Sequence, residues 1–251
     1  MLTTVVVLFV FAVVVMPYVV APLVVWAQHR QSAAVQFEHV SAESFPPEAY
    51  DFSRLVAHSL ATQGFEPVAY LRGADTAART VMYMLIMTSE SARESAAAID
   101  MRPEAMPQGG QRFVEFCTEF VGGREINTHN CGVAYITKPD PAKTLFRLHT
   151  LGNPALLYGA HRQLVERHAP DSPRFIPTRG TEHLHLAHSV DKGYRYQAES
   201  GYLYLDASAG VYRPTLKGAC LMSWKLAWPV KQAREALAKR TATRTLCSLG
   251  R

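Results

Sequence analysis

The sequence predicts an α+β fold with an N-terminal transmembrane helix. Three observations support this prediction: an uncharged apolar run opens the chain, several short alternating segments follow it, and helical periodicity is confined to the flanks of those segments. Because helices and strands do not alternate along the chain, the pattern favours an antiparallel β-meander flanked by helices. With 251 residues, 48% of them hydrophobic and 19% charged, the chain is long enough for one or two domains and too apolar for a disordered protein.

The opening run is expected to be a membrane anchor. Residues 1–28 carry no charged side chain, and eleven valines lie between Val5 and Val25. A helix of this length spans the hydrocarbon core of a bilayer, and Trp26 lies where an interfacial aromatic residue would hold its end. We therefore predict a transmembrane anchor over 1–28. A cleaved signal peptide and a buried core helix are the alternatives.

Positive charge gives the expected orientation of this anchor. No Lys or Arg precedes the apolar run, and Arg30 follows it directly. The positive-inside rule then places the N-terminus outside and the remainder in the cytoplasm. The predicted localisation is the cytoplasmic (inner) membrane, as a single-pass protein. Residues 29–46 are expected to be a juxtamembrane connector.

The region 47–168 is predicted to be an α+β soluble domain. Its first helix begins at the prolines 46–47 and ends before Gly64, a residue suited to a helix C-terminus. A second helix begins at Asn153, the N-cap, with Pro154 at the first helical position, and ends near His168. Alternation and apolar runs predict the strands 65–72, 80–87, 95–101, 112–120, 124–128 and 145–150.

The strand 112–120 has the clearest alternation of polar and apolar residues. Successive side chains of a strand point to opposite faces of its sheet. One face of this strand therefore carries Phe113, Glu115, Cys117 and Glu119, and the other carries Val114, Phe116, Thr118 and Phe120. The spacing of the two glutamates along the strand is too long for a glycosidase carboxylate pair.

The C-terminal part is predicted to be a helix–hairpin–helix region over 181–251, after a proline-rich linker over 169–180. The hairpin consists of residues 202–206 and 211–214, and the helical region over 216–239 is interrupted by Pro229. The hairpin and the sequence Tyr-Arg-Pro-Thr-Leu-Lys-Gly that closes it resemble the wing of winged-helix domains. No matching pair of helices with a tight turn precedes the hairpin. The resemblance implies a membrane-tethered winged-helix-like regulator as one alternative function.

Basic charge is concentrated in the tail. Residues 213–251 contain nine Lys and Arg and a single acidic residue, Glu235, although the whole chain has a net charge of only +5. Tryptophan beside lysine is typical of the headgroup region of an anionic membrane. The alternatives are a tail that packs its tryptophans on the domain and, least favoured, nucleic-acid contact. The expected membrane-surface residues are Trp26, Arg30, Lys217, Trp224, Lys225, Trp228, Lys231 and Arg234.

Three histidines form the densest group of candidate metal ligands. His183, His185 and His188 lie within six residues, but neither a helix nor a strand presents all three on one face. Two of them would need a distant third ligand. His129 and Cys131 are a second candidate, as a base and a nucleophile. The sequence contains no nucleotide-binding glycine motif, no HExxH motif and no GxSxG motif.

The absence of a catalytic motif decides the expected function. The leading hypothesis is a single-pass, cytoplasm-facing, non-catalytic accessory or scaffold subunit of a larger membrane protein complex. Its expected partners are membrane lipids and that complex, and no cofactor is expected. The alternatives are the winged-helix-like regulator and a metal-dependent enzyme that uses the histidines of 183–188.

Overall fold

A computed structural model describes residues 4, 5, 9, 11, 16–75, 77–105, 110–132 and 135–249. A large mixed sheet forms its centre. The α-helices are α1 (Ala21–Gln28), α2 (Pro47–Ala61), α3 (Pro154–His168), α4 (Glu182–Glu199), α5 (Leu216–Leu226) and α6 (Val230–Leu249). The strands are β1 (Gln31–Ser32), β2 (Gln36–His39), β3 (Glu66–Asp75), β4 (Thr80–Ser89), β5 (Glu94–Pro103), β6 (Gln111–Phe120), β7 (Glu125–His129), β8 (Lys143–Arg147), β9 (Arg174–Phe175), β10 (Leu203–Asp206) and β11 (Val211–Pro214).

The large sheet has the strand order β2-β3-β4-β5-β6-β7-β8, with β9 pairing at the end of β6. Neighbouring strands are antiparallel except β7 and β8, which run parallel, with Glu125 opposite Lys143. The prediction of a purely antiparallel meander is therefore wrong at this edge. The long connection 130–142 brings the chain back to the starting end of β7, as a parallel pair requires.

One face of the sheet forms the main hydrophobic core. Helices α2 and α3 and the end of α6 cover it, and Leu85, Phe116 and Leu157 are among its fully buried side chains. The helix α3 begins as predicted, because the Asn153 side chain accepts hydrogen bonds from the backbone N–H groups of the first turn. Burial of this apolar face supplies most of the stability of the sheet.

Helix α4 covers the opposite face of the sheet. Leu186, Val190 and Tyr194 of this helix pack on the β2–β4 side, where Phe37 and Leu71 are buried. Over β5–β8 the helix stands away from the strands. The same strands thus have a closely packed face and a face with open space.

The predicted hairpin is confirmed as β10 and β11. It joins β1 in a separate three-stranded sheet, in which Gln31 lies opposite Tyr212. The helix α5 follows the hairpin, and the Thr215 hydroxyl caps it by accepting from the N–H of Gly218. No second layer of helices precedes the hairpin in the described ranges, where only α4 leads into it. The resemblance to a wing is therefore limited to the hairpin itself.

The prediction of an N-terminal transmembrane anchor is wrong for the residues that the structure describes. Part of the predicted anchor, including residues 6–8 and 12–15, lies outside them. In the described part, none of the helices combines the length and the apolar character that crossing a bilayer requires. The expected single-pass topology with the N-terminus outside, and with it the expected localisation in the cytoplasmic (inner) membrane, is therefore wrong for the described residues.

The physical reason lies in how this segment is held by the rest of the fold. The helix α1 is only eight residues long, begins after a π-helical turn over Met16–Val20 and ends where the chain turns into β1. It packs against α5. The Tyr18 hydroxyl donates to the backbone oxygen of Trp228, and its ring contacts that of Trp224 at 5.7 Å. Apolar composition alone did not reveal these tertiary contacts.

Most other predicted elements are confirmed to within a few residues. The predicted connector 29–46 contains two strands that sequence reasoning missed, β1 and β2, which are too short to show a pattern. The predicted linker 169–180 contains β9. The division into a domain over 47–168 and a region over 181–251 stays a prediction.

Candidate functional site

The space between the sheet and α4 is a cavity of about 910 Å³. Strands β4–β8 form its floor, α4 forms its roof, and the segment 135–140 closes one side. Ligand sites in proteins are concave spaces of this size with mostly apolar walls and a few polar groups. The cavity is therefore the candidate functional site.

The β4–β5 half of the cavity is apolar. Ile86, Ala97 and Ile99 rise from the floor, and Leu186 and Val190 face them from α4. These positions follow from strand alternation, because the intervening residues of β4 and β5 point into the main core. This half offers an apolar surface to a ligand.

The β6–β8 half carries charged side chains in opposed pairs. Glu119 lies directly opposite Glu125 in the sheet, an arrangement that is destabilising unless cations intervene. His185 of α4 reaches Glu119, with 2.8 Å between Nε2 and Oε2. The Nζ of Lys143 lies 3.0 Å from Glu125 Oε2 and also donates to the Ser189 hydroxyl. These contacts neutralise both glutamates and join the roof to the floor.

The hydrogen bond that His185 donates to the Glu119 carboxylate raises the pKa of His185 above its ordinary value, although partial burial opposes the shift. The imidazolium form is thus the one that this site favours. His185 therefore links α4 to β6 through its contact with Glu119.

Glu115 lies further along β6, in the interior of the cavity. In the described part of the chain it makes no hydrogen bond and no ion pair. Desolvation by the surrounding protein raises its pKa to about 7, the Lys143 charge lowers it and the Glu125 charge raises it. This carboxyl therefore titrates near neutral pH, so a change in its surroundings alters its charge.

Cys117 lies between the two glutamates on the cavity face of β6. Burial raises the pKa of its thiol well above the ordinary value, and the charges of Glu125, Glu115 and Glu119 raise it further. The group therefore stays a thiol at neutral pH. Because the thiolate is the nucleophilic form, this environment does not favour Cys117 as a catalytic nucleophile.

The three predicted metal-ligating histidines point in different directions. His183 forms a hydrogen bond to His39 of β2, with 2.8 Å between Nδ1 and Nε2, whereas His185 contacts Glu119 and His188 is exposed. Among the described residues, no group of three or more His, Cys, Asp or Glu side chains is arranged to hold a metal ion. A helix separates these positions around its axis, so their closeness in sequence does not become closeness in space.

His129 and Cys131 are adjacent but not arranged as a base and a nucleophile. The Nδ1 of His129 accepts the backbone N–H of Cys131 at 3.1 Å. Burial lowers the pKa of His129 to about 4, and the Arg147 charge contributes to this shift. This neutral, buried imidazole supports the loop after β7 rather than activating the thiol.

The expected membrane-surface residues fall into two groups. Trp26, Trp224 and Trp228 are 49%, 52% and 73% exposed, and Arg30, Lys217 and Lys231 are also exposed. Trp228 lies beyond the end of α5, so it does not share a helix face with Trp224. Contact of this exposed group with membrane lipids stays a prediction.

Lys225 and Arg234 point inward instead. The Nζ of Lys225 donates to the backbone oxygens of Ile136 and Thr137 at 2.9 and 2.8 Å. Arg234 donates to the backbone oxygen of Tyr135 at 2.8 Å. The two basic side chains therefore hold the segment 135–138 in place as the side wall of the cavity.

Comparison with protein-family models, with curated proteins and with solved structures finds no match to this chain. The site must therefore be interpreted from its own geometry.

Sequence reasoning placed Glu115, Cys117 and Glu119 on one face but did not identify that face as a cavity. The missing information was the position of α4. Leu186, Val190, Gly193 and Gln197 follow helical spacing, and this spacing indicates a helix that covers another surface. It does not indicate how far the helix stands from that surface.

Proposed function

We propose that this protein binds a small amphipathic organic molecule in the cavity between the sheet and α4. The observation that carries the proposal is a space of about 910 Å³ with an apolar half and a charged half. Burial of a ligand's apolar part contributes about 25 cal/mol for each Å² removed from water. The polar half would orient the bound molecule.

The wall contacts support a built site rather than a packing defect. Gln197 of α4 accepts from the N–H of Lys138 and donates to its backbone oxygen, at 3.0 and 2.9 Å. Together with Lys225 and Arg234, this pair of hydrogen bonds fixes the side wall. A preformed cavity lowers the entropic cost of binding, because little has to be ordered when the ligand enters.

Gly193 offers a direct test, because it lines the cavity and a Cβ added there meets nothing within 4 Å. Gly193→Leu would fill the space while improving the helix propensity of α4. Gly159→Leu on α3 is the matched control, since Gly159 is also helical, has open space around it and lies outside this cavity. Nile red fluorescence measures binding of an apolar molecule to each variant.

We expect wild type and Gly159→Leu to bind Nile red equally. Gly193→Leu should bind it about tenfold more weakly or not at all, because the side chain occupies the apolar volume. Circular dichroism confirms that both variants fold. Equal binding by all three proteins would show that the dye binds elsewhere and would contradict the proposal.

We infer a second candidate function from the exposed apolar surface formed by Leu23, Val24, Trp26, Trp224 and Trp228. A surface of this kind is typical of protein–protein contact. It favours the expected role as a non-catalytic accessory subunit, with a partner protein covering this surface.

Photo-crosslinking in cells tests this candidate. A photoreactive residue at Trp228 should give one discrete adduct, and the same residue at Leu55, which is 61% exposed on α2, should give none. Adducts from both positions, or from neither, would remove this candidate.

A further inference from the structure

The carboxyls that line the cavity differ in how their charges are satisfied. Glu119 contacts His185, Glu125 contacts Lys143, and Glu182 accepts the backbone N–H of Gly180 at 3.0 Å. Asp140 accepts the N–H of Ala142. Glu182 has no cation in contact with it, and its Oε2 is buried without a partner, but Glu115 alone among the cavity-lining carboxyls makes no hydrogen bond or ion pair with a described residue.

Among the described residues no cation is in contact with Glu115, although Lys143 and Arg147 of β8 line the same cavity. Glu125 of β7 adds negative charge, and Cys117 and Tyr135 are neutral because their thiol and hydroxyl pKa values are raised. Lys143 of β8 is the cation that acts on Glu115, but its ammonium forms the 3.0 Å pair with Glu125. Glu115 is therefore a half-buried carboxyl of the cavity wall with no cation in contact with it among the described residues.

The side-chain oxygen of the neighbouring Asn127 also lacks a hydrogen-bond donor. Asn127 uses its Nδ2 to donate to Glu125 at 3.2 Å, and its buried Oδ1 has no partner among the described residues. The cross-strand register places Asn127 opposite Cys117, diagonal to Glu115. Asn127 Oδ1 is thus an acceptor without a partner near Glu115, whereas His129 Nε2, opposite Glu115 in the sheet, and Arg147 Nε are buried nitrogens that lack a partner among the described residues.

We propose that the molecule bound in this cavity is an apolar amine, whose ammonium group contacts the Glu115 carboxylate. This inference rests on the proposed function. Buried charges in proteins are stable when they are paired, and an ammonium brings one positive charge and three donors. The carbon skeleton of the amine would lie over Ile86, Ala97 and Ile99.

Other ligand classes fit this floor less well. A carboxylate or phosphate beside Glu115 would meet it with like charge, and such a ligand would have to turn its anionic group to Arg147, which also lines the cavity. A neutral alcohol would fill the apolar half but leave the Glu115 charge unpaired. The amine is the class that satisfies both halves of the cavity.

Isothermal titration calorimetry with decylamine, decanol and decanoate separates these classes, because the three share one carbon chain. At pH 8 wild type should bind decylamine about tenfold more tightly than decanol, and decanoate most weakly, since hydrogen bonds to charged groups exceed neutral ones. Glu115→Gln should reduce decylamine affinity about tenfold and leave decanol within about twofold. Glu66→Gln, an exposed change on β3, is the charge-matched control and should leave all three unchanged.

The pH dependence provides a second readout. Decylamine should bind wild type more weakly at pH 6 than at pH 8, because Glu115 gains a proton that the ammonium must displace. Glu115→Gln should show no such change.

The outcomes separate the two proposals. If decanol binds as tightly as decylamine, and Gly193→Leu weakens both, the cavity binds apolar molecules but the amine inference is wrong. If decylamine is preferred but Glu115→Gln leaves that preference intact, the ammonium contacts another group and the inference is also wrong. If none of the three compounds binds, the proposed function fails, and the amine inference fails with it.

Discussion

The two faces of the central sheet, built from the same strands, differ in how their polar groups are satisfied. On the core face, Thr118 and Thr128 each hydrogen-bond to one ring nitrogen of His161, both at 2.9 Å. On the cavity face, Glu115 has no partner among the described residues. Thr118 and Glu115, three residues apart on β6, thus have opposite environments. The difference indicates that the core face stabilises the fold, whereas the cavity face is available for binding.

His161 is a buried residue on the core face whose two ring nitrogens both have hydrogen-bond partners. It is completely buried, and its ring stacks on that of Phe116 at 5.7 Å. Burial lowers the pKa of His161 to about 3, and the nearby Arg174 charge contributes to this shift. The imidazole is neutral in the folded protein and bonds to two hydroxyl groups.

The largest expected effect comes from changing adjacent residues on opposite faces. Phe116→Ala should lower the free energy of unfolding by about 3–5 kcal/mol, because it leaves a void in a close-packed core. Cys117→Ala should change it by less than about 1 kcal/mol, because the removed sulfur faces open space. Urea denaturation measures both. Similar losses in the two variants would contradict the distinction between the faces.

The faces should also respond oppositely to pH. His161 has a folded pKa below its unfolded value near 6.5, so its contribution is present above pH 6.5 and is lost as the pH falls towards about 3. Its largest slope is about 1.4 kcal/mol per pH unit. His161→Gln should be less stable than wild type at pH 7, and the difference between them should shrink between pH 6.5 and 5. A constant difference would contradict a neutral buried imidazole.

For Glu115 we expect the opposite dependence of stability on pH. Its folded pKa of about 7 lies above the ordinary value of 4.5, so ionisation opposes folding as the pH rises through this window. Glu115→Gln should therefore be about 1–2 kcal/mol more stable than wild type at pH 8, an estimate that allows for water in the cavity, and should lose this advantage by pH 4.5. A destabilised variant at pH 8 would mean that Glu115 has a partner in the folded protein.

The smallest expected effect concerns the link between roof and floor. His185→Ala removes the contact with Glu119 and should lower the free energy of unfolding by about 0.5–1 kcal/mol, since both side chains are partly exposed. His188→Ala, a change at an exposed histidine of the same helix, should have no measurable effect. Thermal denaturation at pH 6 compares them. Equal effects would indicate that helix propensity, and not the ion pair, determines the change.

The sequence determined local structure better than it determined contacts between distant segments. The alternation in 112–120 correctly predicted that Phe116 and Glu115 lie on opposite faces of the sheet, and Asn153 correctly predicted the start of a helix. Both patterns depend only on neighbouring residues. The parallel pairing of β8 depends on the path of 130–142, which carries no periodic pattern. The valine-rich start has the composition of a membrane span, but the contacts of Tyr18 with Trp224 and Trp228 come from residues about two hundred positions away.

Hydrogen exchange of wild type with and without decylamine tests the central claim most directly, because it locates the bound molecule. We expect slower exchange in α4 and in the segment 135–140, which form the roof and side wall of the cavity. Exchange in α1, which carries the exposed Trp26, should not change. Protection confined to α1 and α5, with none in α4, would place the ligand on the exposed apolar surface and contradict binding in the cavity.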